Sequence, residues 1–250
     1  MLGRFKALIK RSGHALGVDV RSAKHTESAT LRSFLHGVKP IAVLDVGANI
    51  GQYARRVRSA GYAGIIFSFE ALDTAHRRLV ATARPDHNWI VAPRAAIASH
   101  SGFVDINISG NSVSSSVLSL TSLLREAAPA VAYVGRQEQT PCIRLDSVSG
   151  LPHQGALFLK VDTQGYELEV LRGAEGLLPR IAAMQLELSL IPLYKGAPVM
   201  TDVLRYLESH GYELFQLVPG LRDERNGRLL QAEGFFVRQA SGTPRVWQAP

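Results

Sequence analysis

The stretch Leu44-Asp45-Val46-Gly47-Ala48-Asn49-Ile50-Gly51 constrains the fold of this chain more than any other feature. Residues 41–46 are apolar and rich in β-branched side chains, as a buried strand requires. Gly47 supplies a turn, and residues 50–60 read as a helix that Gly61 ends. A strand that passes through a glycine turn into a helix is the unit from which open α/β sheets are built, with ligands bound at the carboxyl edge of the strands. The pattern recurs along the chain. Strands are expected at 65–70, 89–92, 102–108, 156–161, 181–188, 212–217 and 235–238, and helices from Asp73 to about Ala83, over 166–178 and over 199–210. Residues 109–139, serine-rich and broken by Pro129 and Gly135, read as irregular, and Cys142 as a small buried hydrophobe just before a strand. Such alternation predicts a mostly parallel sheet with helices on both faces.

Composition removes several classes. The chain is 46% apolar and 20% charged, so it is neither disordered nor fibrous. One cysteine excludes a disulfide framework and a cysteine-based zinc site. No apolar run approaches the roughly 18 residues that span a bilayer, and Lys6, Lys10 and Arg11 interrupt the N-terminal apolar residues where a secretory signal would need continuity. A soluble cytoplasmic protein is expected. The net charge of +7 permits an anionic partner. Much of that charge lies in residues 1–25, where Arg4, Lys6, Lys10, Arg11, Arg21 and Lys24 face the single acid Asp19, and Leu2, Phe5, Leu8, Ile9 and Leu16 recur at helical spacing. Residues 1–39 therefore read as an N-terminal helical basic segment ahead of one domain over 40–250. Its apolar stripe can pack on the domain or rest peripherally on the anionic inner face of a membrane.

The glycine turn narrows the ligand. A nicotinamide fingerprint would place glycines where Asn49 and Gln52 stand. Asp45, just before the turn, would repel a pyrophosphate in a poorly solvated site, whereas it would attract the ammonium and sulfonium of S-adenosylmethionine. Glu70, at the end of the second strand and nineteen positions after Gly51, can accept the hydroxyls of a ribose. The expected donor site is thus Asp45, Gly47, Asn49, Gly51, Gln52 and Glu70, with Asn49 and Gln52 helping at the donor's amino-acid end.

These motifs, followed by Phe69-Glu70-Ala71, Leu159-Lys160-Val161-Asp162-Thr163-Gln164-Gly165-Tyr166-Glu167 and Val170-Leu171-Arg172-Gly173-Ala174, resemble the FkbM family of S-adenosylmethionine-dependent methyltransferases over about residues 40–238. Arg144-Leu145-Asp146-Ser147 matches a Leu-Asp step usual in that family. The family generally has Glu-Pro where this chain has Glu70-Ala71, and Val-Glu-Gly where it has Thr163-Gln164-Gly165. The resemblance implies a class I, Rossmann-like methyltransferase fold, a seven-stranded sheet whose last strand is antiparallel. It also implies O-methylation, often of a sugar or polyketide hydroxyl.

Transfer to an alcohol needs a group that takes its proton. Asp162, ending the fourth long strand opposite the donor turn, is the expected base. Lys160 shares its side of the strand and could pair with Asp162 or hold a substrate oxygen. Glu187 interrupts an apolar strand and either serves the acceptor or a divalent cation, or is paired structurally; no dedicated metal motif accompanies it, so no metal is expected. Glu167 reads as a first-turn acid favoured by the helix dipole. Ser114, Ser115 and Ser116, in the serine-rich stretch from Ser112 that the family tends to share, would face an acceptor rich in hydroxyls. The expected activity is methylation of a sugar hydroxyl in a glycolipid or other glycoconjugate. A polyketide O-methyltransferase, an RNA ribose methyltransferase and a non-catalytic adenosine-ligand module are the alternatives. Base-methylation motifs and basic runs interleaved with aromatics are both missing from the sequence, so no nucleic-acid partner is expected.

Overall fold

Strand β1 (Ala42–Val46) is buried at every residue, as its apolar pattern, broken only by Asp45, demands. In the computed structural model, which describes residues 26–111 and 113–239, it lies inside a seven-stranded sheet, paired with β2 (Ile65–Phe69) on one side and β7 (Leu157–Val161) on the other. The other strands of the sheet are β3 (Trp89–Val91), β8 (Ile181–Ser189), β9 (Tyr212–Pro219) and β10 (Gln231–Arg238), and the strand order is β3-β2-β1-β7-β8-β10-β9. The first five run parallel, and β10 lies antiparallel between β8 and β9.

Alternate side chains sort to the two faces. Val43, Ile66, Phe158, Ala183 and Phe235 pack against α1 (Glu27–Val38), α2 (Gln52–Ser59) and α3 (Asp73–Ala83). Leu44, Phe67, Leu159, Met184 and Phe236 pack against α5 (Glu167–Gly173) and α6 (Met200–Ser209). Because Leu31, Phe34 and Leu35 of α1 are buried in the first of these layers, the packed unit begins ahead of the expected boundary at residue 40. Residues 1–25 and Ser112, with the basic amphipathic stripe assigned to the former, lie outside the described residues.

Three readings of the sequence are corrected. The stretch 109–139 is not wholly irregular: it holds the short helix α4 (Ser122–Ala127) and most of β6 (Tyr133–Ile143), which joins β4 (Ala96–Ile97) and β5 (Gly102–Ser109) in a second sheet of order β4-β6-β5. Strand β6 is polar and half exposed and carries Pro141, so it lacks an apolar run and is defined by its pairing with β5. Cys142 lies within that strand, buried. The helix expected over 166–178 ends at Gly173, where the backbone meets β4: a Cβ on Gly173 would lie 2.0 Å from the Ala98 carbonyl oxygen.

Candidate active site

Toward the carboxyl edge of the sheet, the face covered by α1 and α2 changes from apolar to polar on four adjacent strands at once. Ser68 on β2, Asp45 on β1, Lys160 on β7 and Gln185 on β8 stand in register, two residues beyond the apolar row. All four are buried, and buried polar groups need partners. Trp89 Nε1 donates to Ser68 Oγ (2.9 Å), which donates to Asp45 Oδ2 (3.1 Å). Gln185 donates to Glu233 Oε2 (2.8 Å) and accepts from the Tyr53 hydroxyl (2.8 Å). Lys160 Nζ lies 3.1 Å from Glu233 and 3.6 Å from Asp162. Burial works against the lysine's charge, but the carboxylates of Glu233, Asp162 and Glu187 outweigh it and hold the ammonium firmly protonated. Asp45 is the reverse case. Burial pushes its carboxyl up to about 7, against the opposing pull of Ser68 and Lys160.

The glycine turn follows. Gly47 and Ala48 both donate to the Phe69 carbonyl, drawing the turn onto the end of β2 (3.1 and 3.0 Å). Gly47 has φ +79°, and a Cβ there would sit 2.0 Å from the Asp162 carbonyl oxygen, so the turn and the loop after β7 touch. Gly51 has φ +91° and lies against the Trp89 ring, beneath the turn. Asn49 is itself left-handed (φ +48°), a conformation asparagine tolerates better than most residues. Its backbone N–H donates to Glu70 Oε2 (2.8 Å), while Leu72 N–H donates to Glu70 Oε1 (2.8 Å). Burial raises the Glu70 carboxyl, and these two donors restrain the rise. Gln52 closes the turn by accepting from Ile50 N–H (3.1 Å) and donating to Asn49 Oδ1 (3.3 Å).

Beyond β7 the loop is organised by Gln164, left-handed at φ +56°. Its amide donates to Asp162 Oδ1 (2.7 Å) and Glu187 Oε2 (2.9 Å) and accepts from the Tyr194 hydroxyl (2.6 Å). Gln231 also donates to Glu187 (2.8 Å). Burial, then the nearby carboxylates of Asp162, Glu167 and Glu233, push Glu187 well above the usual carboxylate range. Glu167 does more than face a helix dipole. It is buried, raised to about 7 chiefly by that burial, and accepts from Thr163 N–H (3.0 Å) and Gly165 N–H (3.2 Å), fastening the loop.

One cleft of about 340 Å³ gathers these parts. Of the residues singled out from the sequence, Asp45, Gly47, Asn49, Gln52, Glu70, Ser115, Ser116, Lys160 and Asp162 line it. Three do not. Gly51 supports the turn from below, Glu187 stands behind Gln164, and Ser114 turns to Asn111, whose Nδ2 donates to its Oγ (3.0 Å). Ser116 donates to the Gln164 carbonyl (2.8 Å), joining the serine segment to the loop that carries Asp162. The lining also includes Tyr53, Arg56, Ala96, Ile97 and Gln164, which sequence reasoning missed. Arg56 follows Gln52 by four positions and Tyr53 by three, so the helical period could have found it; Ala96 and Ile97 come from the second sheet and left no local signal.

The carboxylates of Asp162, Glu187 and Glu233 each offer an oxygen within 4.8 Å of the others, a spacing that suits a cation. The Lys160 ammonium already stands among them as counter-charge. At the other end, Leu72, Ala95, Ala96 and Ile97 give an apolar wall beside Glu70, suited to a flat base next to a ribose. The residues fit a donor that carries an adenosine and positive charge.

The strand order, with one antiparallel strand inserted before the last, is that of class I S-adenosylmethionine-dependent methyltransferases. The model of the FkbM methyltransferase domain matches residues 45–214, and the chain belongs to that family. No curated protein matches the sequence. Among solved structures the chain is similar to a putative RNA methyltransferase from Pyrococcus horikoshii, at 10% identity, 86% of this chain and 83% of that one, with a TM-score of 0.47. It is also similar to a precorrin-6y C5,15-methyltransferase from Geobacter metallireducens, at 14% identity, 88% and 94% coverage and a TM-score of 0.46. A third is magnesium protoporphyrin IX methyltransferase from Synechocystis, solved with bound S-adenosylmethionine, at 10% identity, 85% and 79% coverage and a TM-score of 0.44. No helix among the described residues is long and apolar enough to cross a membrane.

Proposed function

We propose that this chain is an S-adenosylmethionine-dependent O-methyltransferase acting on a hydroxyl of a sugar in a glycolipid or other glycoconjugate. The observation that carries the reading is the contact between Gly47 and the Asp162 backbone carbonyl, which supports it by joining the glycine turn to the residue proposed as base. The bound donor supplies an electrophilic methyl group on a sulfonium. Glu70 accepts from its ribose, and Asp45 faces its positive charge. Asp162, its side chain 36% exposed at the cleft, takes the proton of the attacking hydroxyl. Gln164 on one carboxylate oxygen and Lys160 near the other fix its orientation. Ser115, Ser116 and Gln164 supply hydrogen bonds for the acceptor's other hydroxyls, which need partners once water is excluded. The lipid part of the acceptor rests on residues 1–25, whose cations and apolar residues suit a peripheral membrane contact.

The test pairs calorimetry with product analysis. Asp162→Asn should bind S-adenosylmethionine as the unaltered protein does, yet methylate a glycolipid extract about 10²–10⁴-fold more slowly. Mass spectrometry of the extract should show a gain of methyl on a sugar ring. Normal turnover by the variant would move the base elsewhere. Binding of NAD in place of the methyl donor would overturn the reading as a whole.

A further inference from the structure

Among the described residues Arg56 is the one cleft-lining cation not buried in the sheet, and its present partner comes from a different element. Its Nη1 donates to Glu27 Oε1, the first residue of α1, at 2.7 Å. Its Nε and Nη2 donate to nothing among the described residues, and the guanidinium carbon lies 5.5 Å from the centre of the Tyr53 ring. The pair is partly solvated, with side chains 45% and 26% exposed, so exchanging it costs little. Glu27 would not be stranded by such an exchange, because Gln185 Nε2 donates to the same oxygen at 2.9 Å.

The position of Arg56 in the cleft gives the pair its meaning. Glu70 and the apolar wall of Leu72, Ala96 and Ile97 lie on the β2 side of the glycine turn. Tyr53, whose hydroxyl bonds Gln185 on β8, carries the next turn of α2 over the opposite side. A donor with its adenosine beside Glu70 therefore runs its amino-acid end toward Arg56. There the Asp45 and Asp162 carboxylates suit an ammonium, and among the described residues a carboxylate has one cation with free donors to meet, Arg56. Arginine binds carboxylates through paired, charge-assisted hydrogen bonds.

We propose that Arg56 is the carboxylate-binding residue of the donor site, and that Glu27 of α1 is an internal competitor which the donor's α-carboxylate displaces. Donor binding then releases the Arg56–Glu27 tie between α2 and α1 and leaves Glu27 on Gln185. The inference rests on the proposed donor, so the experiment uses two donor-site ligands that differ only in the amino-acid end, S-adenosylhomocysteine and 5′-methylthioadenosine. Calorimetry on the full chain should show that Arg56→Ala weakens S-adenosylhomocysteine by about 10- to 100-fold, as expected for loss of a charge-assisted pair, and leaves 5′-methylthioadenosine unchanged. Glu27→Gln should tighten S-adenosylhomocysteine alone, by a few fold. An unchanged ratio of the two affinities in Arg56→Ala overturns the assignment, and weaker S-adenosylhomocysteine binding in Glu27→Gln overturns the competition. If Arg56→Ala loses both ligands, α2 is disturbed, and Arg56→Gln, which keeps the length of the side chain, reads the same ratio. Failure of both ligands to bind the unaltered protein would instead remove the proposed donor.

Discussion

Taking a carboxylate out of water favours its protonated form, and Asp45 shows how far that goes in this fold. The group is 1% exposed and its carboxyl lies at about 7, against 3.8 when free. Between those values the unfolded chain has lost the proton that the folded chain keeps, so folding takes up a proton and stability falls as pH rises through the window. Glu167, also raised to about 7, adds to the same slope. Unfolding free energies from urea titrations should decline between pH 4.5 and 7 by up to about 1.4 kcal/mol per pH unit for each such group, and Asp45→Asn should flatten part of that decline. Donor affinity should run the other way. A cationic ligand prefers the ionised carboxylate, so binding should strengthen as pH rises toward 7 and then level off, and Asp45→Asn should weaken binding and lose this dependence. Gly47→Ala tests the neighbouring contact. With φ +79° and a carbonyl oxygen 2.0 Å from the new methyl group, it should cost about 2–4 kcal/mol in urea unfolding and abolish donor binding. Asp45 and Gly47 were legible because strand and turn are contiguous in sequence. Ser68, Lys160 and Glu233 as their surroundings were not, since sheet register alone aligns them.

Elements differ in how much of themselves they carry. Strands β1 and β7 announce themselves as apolar runs because both faces are covered. Strand β6, with one polar face and a proline, has no such signal and exists through its pairing with β5. Helix α5 shows a second limit. Gly173 lowers the helix propensity of its segment, and by propensity alone alanine would stabilise it by about 1 kcal/mol. The packing reverses the sign, because a Cβ there would meet the Ala98 carbonyl oxygen at 2.0 Å. Gly173→Ala should therefore lower the thermal midpoint, through the roughly 1–3 kcal/mol loss of stability typical of overpacking. A rise in the midpoint would show that α5 can move away from β4.

For the whole molecule, the packed layers include α1 among the described residues, and its Thr26 side chain accepts from Ala29 N–H at the helix start. Removal of residues 1–25 should lower the thermal midpoint if their apolar stripe packs on the domain. It should abolish flotation with anionic liposomes if those residues hold the protein at a membrane. Equal, negligible flotation of both forms would leave a soluble sugar or polyketide as the acceptor. By itself the sequence determined the sheet class and the places of the glycine turn with its two acids and of Asp162 with Lys160 beside it, because each is a local pattern of strand, turn and helix. It did not determine the use of Gln164, which lies beside Asp162 in the chain but works through Glu187 and Tyr194. Nor did it reveal Glu233 as the lysine's partner, or the facing of Arg56 by Glu27. Those are contacts between elements distant in sequence. Strand order, register and helix packing decide them, and no local pattern of residues encodes which side chains meet across a sheet.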